Sequence, residues 1–137
     1  MKIVRILAGV FFVSLVIWLL FNWINERSNK KGLLSSFKIS LIEIDNSVTP
    51  GLTVEVENKW KSVIGTTHFR LRFYVDDKTL CGVDYDAGNL IPNEKRRIVL
   101  KCREKIAWED GPIQYFLSVF PEGHRGIEPL HGDFILR

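Results

Sequence analysis

A single apolar run near the start of the chain most constrains what it can fold into. The run, Ile6–Ile24, carries no charge and contains only two mildly polar residues, Ser14 and Asn22. As a helix rising 1.5 Å per residue it would span roughly 28 Å, close to the hydrocarbon thickness of a bilayer. Aromatic residues crowd its C-terminal end, as in the aromatic belt of a membrane protein: Trp18, Phe21 and Trp23. The sequence therefore predicts a transmembrane helix.

A cleaved signal peptide and a buried core helix both fit this run less well than a membrane anchor. A cleaved signal peptide has a shorter apolar core and a small-residue cleavage site. Here the run is long, and the sequence after it, "NWINERSNKKG", has no A-x-A pattern. A buried core helix of a globular domain would show a polar face, which this run lacks. We expect residues 1–5 to form a short cytoplasmic tail and residues 6–24 to cross the membrane.

The basic character of the chain belongs to this anchor. The net charge is +3, with a pI of about 9.0. Against one acid, Glu26, five of the nineteen basic residues flank the helix: Lys2, Arg5, Arg27, Lys30 and Lys31. From Leu33 onward fourteen basic residues face fifteen acidic ones. Basic residues beside a span meet lipid headgroups, so the bilayer is the expected partner of this segment. A neutral domain gives no reason to expect nucleic acid.

The charges on either side of the helix give a mixed signal about its orientation. Lys2 and Arg5 precede the helix, whereas three basic residues follow it, which by itself would keep the domain in the cytoplasm. Long domains, however, translocate largely regardless of charge, and the short basic start resembles a signal anchor. We therefore expect a cytoplasmic N-terminus and an extracytoplasmic C-terminal domain, in the setting of a bacterial inner membrane and periplasm.

After a predicted polar linker over residues 25–36, the pattern changes to the alternation of apolar and polar residues that is typical of strands. Turn signals separate the strand-like runs. There are seven such runs: "FKISLIEI", "GLTVEVEN", "HFRLRFYV", "TLCGVDY", "RRIVLKC", "IQYFLSVF" and "DFILR". Seven short strands without an amphipathic helix predict an all-β fold, an Ig-like or fibronectin-like antiparallel β-sandwich over residues 37–137.

The two cysteines, Cys81 and Cys102, lie on neighbouring predicted strands. If these strands pair antiparallel in one sheet, the register that places Val83 opposite Leu100 also places Cys81 opposite Cys102. If the strands lie in different sheets, both cysteines point into the core and can meet across it. The alternatives are two buried free thiols and a zinc site, which favours close ligand pairs rather than a spacing of twenty residues. We expect a disulfide, which persists outside the cytoplasm.

The sequence contains no recognisable motif for catalysis, phosphate binding or metal binding. There is no G-x-S-x-G nucleophile motif and no glycine-rich phosphate loop. The segment "DYDAGN" faintly resembles a calcium loop, but Lys95 stands where the bidentate glutamate is required. No histidine lies near either cysteine in the sequence: His68 begins a predicted strand, and His124 and His131 flank a loop. The sequence therefore predicts no catalytic residue, no metal ligand and no cofactor.

Several outward-facing or loop residues are candidates for binding a partner protein. For the charged ones, ordinary cross-strand pairing and a charged docking face are both open. The two loop tryptophans fit either binding hot spots or lids packed over the ends of the core. The candidates are Trp60, Trp108, Arg70, Arg72, Arg97, Lys101 and Arg103.

Three short sequence steps lie between Leu52 and Leu100: Val56-Glu57-Asn58 at a strand end, Phe73-Tyr74 followed by Asp76, and the turn Leu90-Ile91-Pro92-Asn93-Glu94. Together they resemble the pattern of the FxLYD-type and LEA-like families of Ig-like domains. The F-x-L-Y-D string itself is not present, and the cysteine pair is not part of the pattern. The resemblance implies an Ig-like fold in the cell envelope and implies no activity, because such domains serve mainly as interaction modules.

Together these features predict a membrane-anchored docking domain without enzymatic activity. We expect an accessory or assembly subunit of a larger membrane complex, with other membrane or envelope proteins as partners. One alternative is an envelope inhibitor or immunity-type protein that occludes a single target. Another is a ligand-binding module, for example for glycans. A metallochaperone is a more distant alternative, because the sequence lacks the Met and Cys-x-Cys ligands of such proteins.

Overall fold

The alternating segments of the sequence form two antiparallel sheets, and one long helix precedes them in the chain. The computed structural model describes residues 2–137. The sheets have the strand orders β1-β2-β5 and β4-β3-β6-β7, which confirms the predicted fold class. The elements are α1 (Lys2–Ser36), β1 (Phe37–Asp45), β2 (Gly51–Asn58), β3 (Thr67–Val75), β4 (Lys78–Ala87), β5 (Lys95–Lys101), β6 (Ile113–Pro121) and β7 (Leu130–Phe134). The last strand begins three residues earlier than "DFILR" suggested.

Helix α1 is long enough and apolar enough to cross a membrane. The segment predicted as a polar linker, residues 25–36, is helical up to Ser36. It contains no proline, and its Glu, Arg and Lys residues favour helix. The Arg27 guanidinium also lies 5.4 Å from the centre of the Trp23 ring, one turn earlier, a cation–π pair that supports the helix.

The chain divides into two compact units between Gly32 and Leu33. The second unit, Leu33–Arg137, is called the domain below. It begins four residues before the predicted boundary at Phe37, because Leu33 is a core residue and only 2% exposed. Burial of this apolar side chain stabilises the domain, so the domain boundary lies before Leu33.

The core of the domain is built from one face of each sheet. Side chains alternate across a strand, and on β2 the residues Leu52, Val54 and Val56 are fully buried. On β3 the alternate apolar residues Phe69, Leu71 and Phe73 are likewise fully buried. Their outward neighbours within these runs are charged or polar and at least partly exposed. Burial of alternate residues therefore holds the two sheets face to face.

Strands β4 and β5 belong to different sheets, which corrects one of the two predicted arrangements. Val83 on β4 lies opposite Leu71, and Leu100 on β5 lies opposite Leu52, so the register that placed Val83 opposite Leu100 is wrong. The connection between the strands is no tight hairpin: its Leu90 is fully buried and forms an isolated bridge with Ile64. The chain therefore crosses from one sheet to the other between β4 and β5.

The second predicted arrangement of the cysteines is the one observed. A disulfide joins Cys81 on β4 to Cys102, which directly follows β5, with a Cα–Cα distance of 6.3 Å. The bond therefore links the two sheets at one open side of the sandwich.

Asn58, the last residue of β2, ties three segments together from a fully buried position. Its Nδ2 donates to the carbonyl oxygens of Ser62 and Leu90, both at 2.9 Å. Its Oδ1 accepts from the Trp60 amide at 2.8 Å, and its backbone oxygen accepts from the Asn93 amide at 2.8 Å. Two of the steps that carry the family resemblance, at residues 56–58 and 90–94, thus meet through this residue.

Candidate functional site

The open side of the sandwich between β4 and β5 is the candidate functional site. A cleft of about 560 Å³ lies there, lined by residues 79–84 of β4 and by Lys101, Arg103 and Glu104 at the end of β5. The disulfide forms part of its wall: Cys81 is partly exposed and Cys102 is buried. The cleft is therefore fixed by a covalent bond between its two sides.

Two of the predicted cations at this side are already paired. Arg97 projects from the outer face of β5, and its Nε lies 3.8 Å from an oxygen of Glu55 on β2. The Lys101 Nζ lies 3.2 Å from an oxygen of Asp45 at the end of β1. These contacts fit the cross-strand pairing interpretation, in which each surface pair stabilises the fold by less than about 1 kcal/mol.

Arg103 lies beside the same cleft but, unlike Arg97 and Lys101, forms no ion pair within the described residues. It follows the end of β5, is exposed, and makes no ion pair or side-chain hydrogen bond with any residue between 2 and 137. An exposed cation beside a cleft, with no intramolecular partner, is available to a negative group on another molecule.

The other two predicted arginines lie on the outer face of the second sheet and converge on one carboxylate. Arg70 Nε lies 3.7 Å and Arg72 Nη2 lies 3.3 Å from Oδ1 of Asp84 on β4. The Arg72 side chain lies across Gly82. A Cβ added at Gly82 would be 2.9 Å from Nη1 of Arg72. Glycine at this position therefore leaves room for the guanidinium. The structure does not bring Arg70 and Arg72 together with Arg97, although their partner Asp84 also lines the cleft.

The acidic residues that partner these cations are not distinctive in the sequence. Asp84 stands out only as part of a calcium-loop pattern, and Glu55 only as an outward residue of its strand. Their role depends on which residues face each other across strands, and here the register places Glu55 opposite Arg97 and Asp84 opposite Arg70. The alternation of charge along neighbouring strands is the signal that could have identified them.

The two loop tryptophans are partly buried, and both pack against the hydrophobic core. This placement favours the lid interpretation over an exposed hot spot. The indole Nε1 of Trp108 is buried without a hydrogen-bond acceptor among residues 2–137, whereas the backbone amide of Trp60 is held by Asn58. Trp108 therefore contributes apolar contact and leaves its polar group unsatisfied.

Replacing Trp108 by phenylalanine should change the free energy of unfolding of the domain by less than about 1 kcal/mol. The change removes contact area, but it also removes a buried donor that lacks a partner. Urea unfolding followed by circular dichroism measures this, with Trp108→Ala as the comparison, which should destabilise by several kcal/mol. A large loss with phenylalanine would mean that the indole N–H makes a bond important for stability.

Asp45 is the residue whose protonation is most clearly affected by its surroundings. The Ser47 amide donates to its Oδ1 at 3.0 Å, and this bond, with help from Lys101, holds the pKa of Asp45 below its ordinary value of 3.8. A lowered pKa means that the folded state binds fewer protons than the unfolded state in the acid range. The resulting stabilisation is complete above the ordinary pKa and is lost as the pH falls through the folded pKa.

Asp45→Asn should therefore reduce the stability of the domain at pH 7 by a few tenths of a kcal/mol and leave it nearly unchanged at pH 2.5. The effect is small because the side chain is 39% exposed and solvent screens its charge. Urea unfolding at the two pH values measures the difference. Asp77→Asn, in the β3–β4 turn, is the control, since that carboxylate has no bonding partner among the described residues. Equal losses at both pH values would contradict this role of Asp45.

Metal binding finds no support in the part of the chain that the structure describes. Residues 2–137 contain no group of three or more His, Cys, Asp or Glu side chains placed to hold a metal ion. His68 instead pairs with an aspartate, its Nδ1 lying 2.6 Å from Oδ1 of Asp86.

Compared with known protein families and with curated proteins, the sequence matches none, and membership of the FxLYD-type or LEA-like families is not confirmed. A solved structure similar to this chain is the CARDB domain of a Pyrococcus furiosus protein, crystallised in complex with di-metal ions. The two are 13% identical, with a TM-score of 0.49, over 74% of this chain and 87% of that one. The fold class rests on the two sheets of this chain itself.

Proposed function

We propose that this chain is a non-enzymatic single-pass membrane protein whose domain docks onto partner proteins outside the cytoplasm. Residues before the apolar run lie in the cytoplasm, residues 6–24 cross the bilayer, and the domain serves as an accessory or assembly subunit of a larger membrane complex. The partners are membrane or envelope proteins.

The anchor is supported by the character of helix α1. Its apolar run, Ile6–Ile24, is free of charge and lies within one uninterrupted helix. A single helix without any ionisable group inside the membrane cannot form a transport path alone. Its role in the proposal is therefore to hold the domain at the membrane, and the Cys81–Cys102 disulfide supports a location in an oxidising compartment.

The observation that carries the docking role is the open β4–β5 side. It combines a disulfide-fixed cleft, the unpaired Arg103 at its mouth, and Val99, which is 66% exposed on the outer face of β5. A surface that is already rigid loses little conformational entropy when a partner binds. This favours docking as the function of the domain.

Affinity purification of the full-length protein from its own membrane in mild detergent, with quantitative mass spectrometry, tests the proposal. We expect one or more membrane proteins to follow it in a fixed ratio. The exported domain, Leu33–Arg137, is purified in parallel. If a single soluble protein follows both forms equally, the chain is an inhibitor that occludes one target. If no protein co-purifies with the full-length form in a fixed ratio, the hypothesis that the domain docks within a complex is wrong.

A further inference from the structure

We propose that β5 binds an extended, acidic segment of a partner protein by strand addition, so that the segment becomes the fourth strand of the β1-β2-β5 sheet. This inference rests on the proposed docking function and names the surface and the chemistry of the partner. In strand addition, backbone hydrogen bonds supply affinity and alternate side chains supply specificity.

The four edge strands of the domain differ in how well they are protected against a further strand. Proteins protect edges with short strands and bulges. Strand β7 has only five residues. The register shifts on β1 between Leu41 and Glu43, and on β4 one extra residue, Leu80, interrupts the pairing with β3. Strand β5 has seven residues in unbroken register with β2. Within residues 2–137 it is thus the one edge of this length without a bulge.

The backbone of β5 is also free to accept a further strand. Its pairing is with β2 on one side, and no residue from Lys95 to Lys101 makes another backbone hydrogen bond in the described part of the chain. The outward N–H and C=O groups of such an edge form a template for a neighbouring strand.

The charges across the sheet indicate the chemistry of that neighbour. One outer-face row runs Lys38–Glu57–Lys95, alternating in sign from β1 to β5. Arg97 likewise follows Glu55 in the adjacent row. The outer face of β5 has three cations and no acid: Lys95, Arg97 and Lys101. Arg96 lies on the opposite face, where it is paired with Glu94. A strand beside β5 that continues the alternation carries acidic residues, because opposite charges across strands attract and like charges repel.

The ion pairs of Lys95 and Arg97 leave both cations available, whereas Lys101 is held more closely, its Nζ lying 3.2 Å from an oxygen of Asp45. The Lys95–Glu57 and Arg97–Glu55 distances are both 3.8 Å, and each of these two cations is more than 60% exposed. Long, solvated pairs of this kind are weak. Each cation can therefore also contact a carboxylate on its free side.

Val99 distinguishes a docking edge from an edge that is merely protected by charge. It lies between Arg97 and Lys101 on the outer face and is 66% exposed. An edge protected only against aggregation is expected to carry charge at its centre. An exposed valine at the centre of a cationic row instead fits an apolar residue on the incoming strand.

A second copy of this chain is a poor occupant of the same edge. Antiparallel pairing of two β5 strands centred on Ile98 would place Lys95 of one copy opposite Lys101 of the other and bring six or more cations together. Like charges opposite each other destabilise such a pair. The preferred occupant is therefore an acidic strand with the outward pattern acid, apolar, acid, acid opposite Lys101, Val99, Arg97 and Lys95.

A peptide titration of the full-length protein in nonionic detergent micelles tests this directly. The probe is the capped peptide Glu-Thr-Val-Thr-Glu-Thr-Glu, and its controls have every Glu replaced by Gln or by Lys. We expect amide resonances of β5 to shift, with binding at least about tenfold tighter for the Glu peptide than for the Gln peptide, since three cross-strand pairs each contribute up to about 1 kcal/mol. Added salt should weaken the binding.

Val99→Glu and Ile135→Glu form a matched pair of variants, because both residues are 66% exposed and neither change disturbs the core. Val99→Glu should weaken binding of the Glu peptide by about tenfold or more, because it places a carboxylate opposite the valine of the peptide and diagonally beside two of its glutamates. Ile135→Glu should leave the binding unchanged. Equal binding of the Lys peptide, shifts confined to β4 or β1, or no shift with any peptide would overturn the proposal.

The same two variants separate this inference from the proposed function when they are purified from the native membrane. If the partner co-purifies with the wild-type protein and with Ile135→Glu but not with Val99→Glu, strand addition at β5 is supported. If the partner follows Val99→Glu as well, docking stands and its assignment to β5 is wrong. If nothing follows wild type, the docking function itself fails, and the peptide titration alone decides whether β5 accepts an acidic strand.

Discussion

Replacing both Cys81 and Cys102 by alanine should lower the free energy of unfolding of the domain by about 3 kcal/mol. The disulfide closes a chain segment with a sequence separation of 21 residues, and in the chain-entropy model it restricts the unfolded ensemble accordingly. It also joins the two sheets at the side where neither sheet continues. Urea unfolding measures the loss through the fluorescence of Trp60 and Trp108, which are the only tryptophans of the domain.

Wild-type domain treated with an excess of a dithiol reductant is the control for this prediction. Its midpoint should move close to that of the double variant, because the covalent link is then absent without a change of side chain. A loss below about 1 kcal/mol in both samples would contradict the stabilising role of the bond. A loss seen only in the double variant would instead assign the effect to the packing of Cys102, which is buried.

Asn58→Ala should destabilise the domain by about 3 kcal/mol. The substitution removes three side-chain hydrogen bonds. The Trp60 amide loses its Asn58 acceptor, and the Leu90 carbonyl keeps only its bond from the Ile64 amide. Each of the three lost bonds contributes about 1 kcal/mol to the stability of the domain. Urea unfolding of the domain measures the change.

Asn89→Ala is the matched control for Asn58→Ala, because Asn89 is exposed and lies in the β4–β5 connection, directly before the residue Leu90 that Asn58 binds. It should change the stability by less than about 0.5 kcal/mol. Asn58→Asp should be at least as damaging as alanine, since a carboxylate oxygen would then face two carbonyl oxygens that now accept from Nδ2. If Asn58→Ala behaved like Asn89→Ala, the three segments would be held together by other contacts.

The helix and the strands of this protein could be predicted because their signals are local. A charge-free run of bilayer length and an alternation of apolar residues are both visible within short windows. Alternation alone predicts that Phe69, Leu71 and Phe73 lie in the core, and the structure buries them fully. The helical extension to Ser36 could not be predicted, because polar residues at a helix end resemble those of a linker.

Long-range arrangement could not be predicted from the same signals. The sequence allowed β4 and β5 to pair in one sheet or to lie in two, and the choice depends on the burial of Leu90 and its bridge to Ile64, which no local pattern shows. Likewise the outward direction of Arg97 followed from alternation, but its partner Glu55 required the register of β2 and β5. Arg103 could not be told apart from Lys101 until their neighbours were known.

The placement of the domain outside the cytoplasm is most directly tested by the redox state of Cys81 and Cys102 in intact cells. Cells that produce the full-length protein are quenched in acid, free thiols are blocked with N-ethylmaleimide, and disulfides are then reduced and labelled with a maleimide polymer that shifts the mass. The single variant Cys102→Ala, in which Cys81 has no partner, gives the position of the unlabelled protein. We predict that most of the wild-type protein carries two labels, because a disulfide persists in an oxidising compartment. Wild-type protein without any label would place the domain in a reducing compartment and contradict an extracytoplasmic docking role.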